Sequence, residues 1–143
     1  MTRLRVRDLM SDHVMSVRPD SPLAEVRDLM IDRRIRHVPV VEDDGTLVGL
    51  VSERDLLRQV LAETEALPIS ARTDLYEAIR AREIMTRDVE TIDVDEDISV
   101  AAQAMLENKY GCLPVVEEGT LAGILTEADF VRFLTEPEAE AAG

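Results

Sequence analysis

His37-Val-Pro-Val-Val-Glu-Asp-Asp-Gly-Thr-Leu-Val-Gly-Leu-Val-Ser-Glu-Arg-Asp55 decides how this chain is read, because a version with a shorter turn returns as Leu113-Pro-Val-Val-Glu-Glu-Gly-Thr-Leu-Ala-Gly-Ile-Leu-Thr-Glu-Ala-Asp129. Pro39 maps on Pro114, 75 positions later, and Asp55 on Asp129, 74 positions later, so one residue is lost at the turn. Upstream, the offset of 75 also pairs Met10 with Met85, Val17 with Ile92 and Met30 with Met105. The chain is therefore a tandem repeat with units at about 6–58 and 81–134. A chain of 143 residues suffices for one domain, and about this length buries roughly 68–70% of its unfolded surface. A single repeat would be marginal alone, so the halves are expected to share a core.

Working outward, residues 38–41 and 47–51 read as the strands of a hairpin, with Asp43-Asp44-Gly45 as its turn. Glu117-Glu118-Gly119 closes the second copy. Pro39 and Pro114 cannot donate to a ladder, which predicts a strand start or an edge without a partner on that side. Ser52-Glu53-Arg54-Asp55 and Thr126-Glu127-Ala128-Asp129 carry the [ST]-x-x-[DE] pattern of a capping box, each opening a helix. Leu56, Leu57, Val60 and Leu61 are read as the buried face of the first of these.

Before the hairpin, Ser21 is read as an N-cap with Pro22 at the first helical position, and Leu23, Val26, Leu29 and Met30 form one apolar stripe. Ile98, Ala101, Ala104 and Met105 replace it in the second copy. The runs 14–17 and 89–92 are each read as one short strand. Val6, Leu9 and Met10, and their echo Ile84-Met85, predict a short leading helix packed on its own repeat. Between the repeats, Leu67-Pro68 ends a helix and Thr73 caps the next, which carries Leu75, Tyr76 and Ile79. The resulting partition is 1–67 for the first repeat with its N-terminal lead-in, 68–80 for a connector, 81–135 for the second repeat, and 136–143 for an acidic tail expected to fray. The class is α+β, with strand, helix, strand, strand and helix in each unit.

The net charge is −14, from 16 basic and 30 acidic residues. Residues 1–36 hold eight Arg against six acids, and the rest of the chain holds eight basic residues against twenty-four acids. Such a balance opposes nucleic-acid binding, which depends on neutralising many phosphates. Two Tyr, two Phe and no Trp leave few surfaces for base stacking. Cys112 stands alone, so neither an internal disulfide nor a paired-cysteine metal site is available, and a reducing cytoplasm is expected. The N-terminus lacks an apolar signal region and no stretch approaches eighteen uncharged apolar residues, so neither export nor membrane insertion is expected.

The apolar-Pro-Val-Val run, the acidic-Gly turn, and then Gly49-Leu-Val-Ser52-Glu-Arg-Asp55 and Gly123-Ile-Leu-Thr126-Glu-Ala-Asp129, in duplicate, resemble cystathionine β-synthase (CBS) domains, and the pair resembles a Bateman module. The resemblance covers nearly the whole chain. It implies two pseudo-twofold related β-α-β-β-α repeats packed through their sheets, and a regulatory module without catalysis. It further implies no obligatory cofactor, and an adenosine nucleotide as ligand in the cleft between repeats: AMP, ADP or ATP, or NAD or S-adenosylmethionine. Homodimerisation and an effector protein acted on in trans are the partners implied. Carried over by position, Asp55 and Asp129 would hold ribose hydroxyls and Ser52 and Thr126 would lie near phosphate, while Val17, Val38, Ile92 and Leu113 would wall the base beside Pro39 and Pro114.

Elementary chemistry agrees with those roles. A carboxylate accepts two hydrogen bonds from a cis-diol, and a helix N-terminus offers N–H groups and a positive dipole end to phosphate. Arg36, His37 and Arg54, with Arg33 and Arg34, make the first repeat the more cationic, whereas the second keeps only Lys109 and places Ala128 where the first has Arg54. The competing reading is a ligand-free dimerisation or scaffold module whose capping boxes only stabilise helices. Gly49 and Gly123 could admit ligand close to the backbone or simply ease packing. His37, Ser52 and Asp55 lack an oxyanion hole or nucleophile elbow and are not read as a triad. Asp43-Asp44 and Glu117-Glu118 are read as turn residues and not as metal ligands, and Cys112 as a small buried hydrophobe.

Overall fold

β-Branched residues on both sides of an acidic-Gly turn close each copy of the signature into a hairpin. In chain order the elements are α1 (Val6–Leu9), α2 (Leu23–Arg33), β1 (His37–Val41), β2 (Leu47–Ser52), α3 (Glu53–Thr64), α4 (Ile69–Ala78), α5 (Ala81–Ile84), β3 (Ile92–Asp93), α6 (Ile98–Glu107), β4 (Cys112–Glu117), β5 (Thr120–Thr126) and α7 (Glu127–Thr135). The structure, a computed structural model, describes residues 3–64, 69–108 and 111–135.

The two hairpins match residue for residue. Val38 faces Val51 and Pro39 faces Leu50 in the first, Leu113 faces Leu125 and Pro114 faces Ile124 in the second, and a bulge follows Val40 and Val115 alike. The turns differ because of the lost residue. Glu118 (φ 52°) and Gly119 (φ 82°) form a two-residue loop with both φ positive, the type I′ geometry that suits the strand twist. In the longer first turn Gly45 (φ 90°) donates to the Glu42 carbonyl at 2.9 Å, and Asp44 accepts from the Thr46 N–H at 3.0 Å.

Pro39 lies within β1 and not at its start. Its carbonyl accepts from the Val17 N–H at 3.0 Å, and the Val41 N–H donates to the Val17 carbonyl at 2.8 Å. The proline nitrogen therefore faces a side where Val17 makes only a one-residue parallel bridge, so the missing donor costs no ladder bond. The run 14–17 accordingly contributes a single bridging residue, while in the second copy Ile92 and Asp93 form β3, parallel to β4. A strand this short cannot hold its preceding residues in register.

Helix α2 begins one residue later than expected, with Pro22 as N-cap, and the buried Ser21 hydroxyl instead accepts from the Arg18 N–H at 3.0 Å. In the second copy Asp97 caps α6 through the Ser99 N–H at 2.8 Å. The α2 stripe is buried at Leu23, Val26 and Met30, with Leu29 packed beside them. On α3 the expectation fails in part: Leu56 is buried, but Leu57 and Leu61 are 57% and 62% exposed. Helix α4 starts at Ile69, so Thr73 lies inside it. The break expected at Leu67-Pro68 and the tail at 136–143 fall outside the described residues.

The chain divides into two units, one of Met15–Val89 and one of Met1–Val14 with Glu90–Gly143. Each leading helix therefore belongs to the unit of the other repeat, contrary to the expectation that it packs on its own. Val6 is fully buried among Ile92, Val94, Ala101, Leu113, Val115 and Leu125, and Ala81 is fully buried with Val17, Val26, Val38 and Val51. The bridges are equally symmetric: Ser11 exchanges backbone hydrogen bonds with Ile124 at 3.0 Å each, and Thr86 with Leu50 at 2.9 and 3.0 Å. The exchange supplies each small unit with an apolar plug worth about 1.5–3 kcal/mol for a residue the size of Val6.

Candidate functional site

Each hairpin ends where a helix begins, so the side chains of the Gly-x-x-[Ser/Thr]-x-x-Asp pattern are placed by the strand-to-helix turn. At the β2–α3 start, the Ser52 N–H donates to Asp55 Oδ2 at 2.8 Å and the Asp55 N–H donates to Ser52 Oγ at 3.1 Å. This is the reciprocal capping box read from the sequence. The Glu53 N–H donates to the Arg36 carbonyl at 2.8 Å, which ties the segment leading into β1 to the first turn of α3. Two of the helix's free donors are thus taken internally, leaving the Arg54 N–H as the first-turn donor without a partner among the described residues. Ser52 is buried and Asp55 half-buried, while Arg33, Arg34, Arg36 and Arg54 are exposed. The side chains of these four arginines make no hydrogen bond or ion pair among the described residues. His37, opposite Ser52 in the ladder, is half-buried.

The β5–α7 start is built alike but filled differently. The Thr126 N–H donates to Asp129 Oδ2 at 2.8 Å and the Thr126 hydroxyl donates to the same oxygen at 3.3 Å. The other oxygen, Oδ1, accepts from the Arg132 guanidinium one turn along the helix. Asp129 is 3% exposed and both its oxygens are engaged. Across the mouth, Gly111 (φ 73°) stands where the first repeat has Arg36, and a Cβ there would lie 2.9 Å from Glu127 Oε1. The Asp-x-x-Arg spacing and the glycine are both visible in the sequence, but the closed pair and the overlying carboxylate are tertiary results.

Of the residues expected to wall the base, Val17, Val38, Ile92 and Leu113 are buried members of their units' cores, and Pro39 and Pro114 are fully buried. Lys109 lies outside the described residues. The two glycines of the pattern are covered from within their own unit. A Cβ on Gly49 would meet Met85 Sδ at 2.5 Å, and one on Gly123 would meet Met10 Sδ and the Ser11 carbonyl oxygen, each at 2.7 Å. Their lack of a side chain therefore serves close packing of the leading turns. Ser52 Oγ accepts from the Asp55 N–H, so the hydroxyl acts as a cap. Burial pushes the Cys112 thiol up to about 12, far from a reactive thiolate. Among the described residues, no group of three or more His, Cys, Asp and Glu is gathered that could hold a metal ion. No helix there is long and apolar enough to cross a membrane.

A family model described as CBS domain matches residues 6–62 and again residues 81–136. The chain belongs to the CBS domain family. The two matches make it a tandem CBS pair, and solved CBS pairs share its fold. The Vibrio cholerae protein AcuB is 31% identical with a TM-score of 0.80, over 99% of this chain and 98% of that one. CBSX2 of Arabidopsis thaliana, solved in complex with AMP, is 28% identical with a TM-score of 0.77, over 94% and 98% of the two chains. The CBS pair of the protein MJ0100, solved with 5-methylthioadenosine and S-adenosylmethionine, is 26% identical with a TM-score of 0.76, over 95% and 99%. An uncharacterized Methanocaldococcus jannaschii protein, MJ1225, is 30% identical over 90% of this CBS pair, which spans 42% of that protein's length.

Proposed function

We propose that this CBS pair is a regulatory module that binds an adenosine-containing ligand at its strand-to-helix starts and passes occupancy to a partner protein in trans, without catalysis of its own. The observation that carries the reading is the duplicated Gly-x-x-[Ser/Thr]-x-x-Asp turn, each with its Asp held at the third helical position by the box. Two similar CBS pairs hold AMP, or methylthioadenosine and S-adenosylmethionine, which supports adenosine as the common chemistry. AMP, ADP, ATP, NAD and S-adenosylmethionine form the panel to test. A ligand at 100 times its Kd stabilises the folded state by about 2.7 kcal/mol. Thermal unfolding against the panel is expected to show at least one such shift; no shift with any of the five overturns the reading.

Self-association belongs to the same proposal. Large apolar side chains are exposed at equivalent positions of both repeats: Ile31 and Leu106 on α2 and α6, Leu57 and Val131 on α3 and α7. Duplicated exposed apolar positions support a second copy as their cover. Light scattering is expected to give a dimer mass that falls to the monomer in Ile31→Glu with Leu106→Glu; a monomer for the unaltered chain at micromolar concentration sinks this part. A second reading, a ligand-free scaffold, is favoured by one feature: the Ser52 hydroxyl and both Asp129 oxygens already have partners inside the protein. The same panel separates the two.

A further inference from the structure

Resting on the nucleotide reading above, we infer that the two helix starts are unequal, so that a phosphate-bearing adenosine ligand binds at β2–α3 alone, one per chain. The same spacing, Asp followed three residues later by Arg, occurs in both repeats as Asp55 with Arg58 and Asp129 with Arg132. In the second repeat it is closed: Arg132 holds Asp129 Oδ1 while Thr126 holds Oδ2, so a sugar diol would have to compete with a guanidinium for Oδ1. In the first it is open: Asp55 Oδ2 is engaged by Ser52, and Arg58 makes no side-chain bond among the described residues.

Charge around the two mouths divides the same way. At the β2–α3 start the Glu53 bond to the Arg36 carbonyl places the exposed Arg36 and Arg54 at one turn, and the exposed Arg33 and Arg34 precede Arg36 in the chain. Against them are set Glu53 and Asp55. At the β5–α7 start, Gly111 and Ala128 replace Arg36 and Arg54, Glu127 leans over Gly111, and the described cation, Arg132, is spent on Asp129. Lys109 keeps the sequence place of Arg34, outside the described residues. Charge-assisted contacts to phosphate are thus available at one start, while a phosphate at the other would face Glu127.

Calorimetric titration with AMP and, in parallel, with unphosphorylated adenosine tests this. One AMP per chain is expected. Arg36→Ala and Arg54→Ala, which break no internal bond, should each weaken AMP by about tenfold and leave adenosine affinity and the thermal midpoint unchanged. Asp129→Asn should keep one AMP per chain and Asp55→Asn should lose it. Arg132→Ala combined with Glu127→Gln, shown to be folded by its thermal transition, should raise the count to two. Two AMP per chain in the unaltered protein, AMP lost in Asp129→Asn but kept in Asp55→Asn, or a count that stays at one in the folded double variant each overturns the inequality alone. Failure of AMP, ADP, ATP and NAD all to bind overturns it together with any nucleotide role, while a shift by S-adenosylmethionine in that case leaves the adenosine reading standing.

Discussion

A methyl group added at Gly123 would lie 2.7 Å from the Ser11 carbonyl oxygen, a backbone atom, whereas the three atoms nearest to one added at Gly49 all belong to the Met85 side chain. The two positions are equivalent in sequence, so their difference in tolerance is a tertiary property. Overpacking typically costs about 1–3 kcal/mol. Urea unfolding is expected to place Gly123→Ala at or beyond the upper end and Gly49→Ala at the lower. Met85→Ala should recover most of the Gly49→Ala loss, and Met10→Ala should recover little of the Gly123→Ala loss; equal rescue in both would contradict the packing described. The sequence made both residues candidates for ligand approach, and nothing local could tell that methionines from distant segments cover them.

At the level of elements, the second hairpin turn offers a test of local geometry. Glu118 occupies the left-handed region at φ 52°, where the Cβ of most L residues crowds the backbone but Asn is tolerated, and it is exposed. Glu118→Asn should therefore raise stability by roughly 0.5–1 kcal/mol in denaturant unfolding; a loss would contradict the turn assignment. Acid should act through the lead-in and the α6 cap. The Arg7 guanidinium bonds Asp95 at 2.7 Å, and Arg5 adds a weaker contact, so that carboxyl lies below its ordinary 3.8. The Ser99 hydroxyl and N–H hold Asp97 below it too. A carboxyl depressed on folding contributes stability that is complete above the unfolded value and is lost as pH falls through the lower folded one. The urea midpoint should thus decline below about pH 4, less steeply in Asp95→Asn at low salt; identical slopes would show that the pair carries no such linkage. The capping boxes and turns were legible because their spacing is three or four residues. The α3 stripe was not: periodicity marked Leu57 and Leu61 as apolar, but only packing decides whether a surface exists to cover them, and both remain exposed.

For the molecule as a whole, the exchange of leading turns is the feature with the widest consequence. Removing residues 1–11 would empty the place of Val6, which is fully buried against the second repeat, and break the Ser11–Ile124 bridge. Hydrogen exchange on that truncated chain is expected to lose protection first in 92–135, while 37–64 keeps it longer; the reverse order would overturn the exchange. The sequence by itself determined the duplication, the hairpins with their acidic-Gly turns, the boxes at both helix starts, and the family. Each of these rests on contacts between residues a few positions apart, or on direct comparison of the copies. Tertiary structure alone decided which unit each leading turn completes, what covers the two glycines, and why one aspartate is closed by an arginine while its counterpart stays open. Those outcomes join segments as far apart as Val6 and Ile92 or depend on side-chain packing, and neither leaves a periodic trace in the chain.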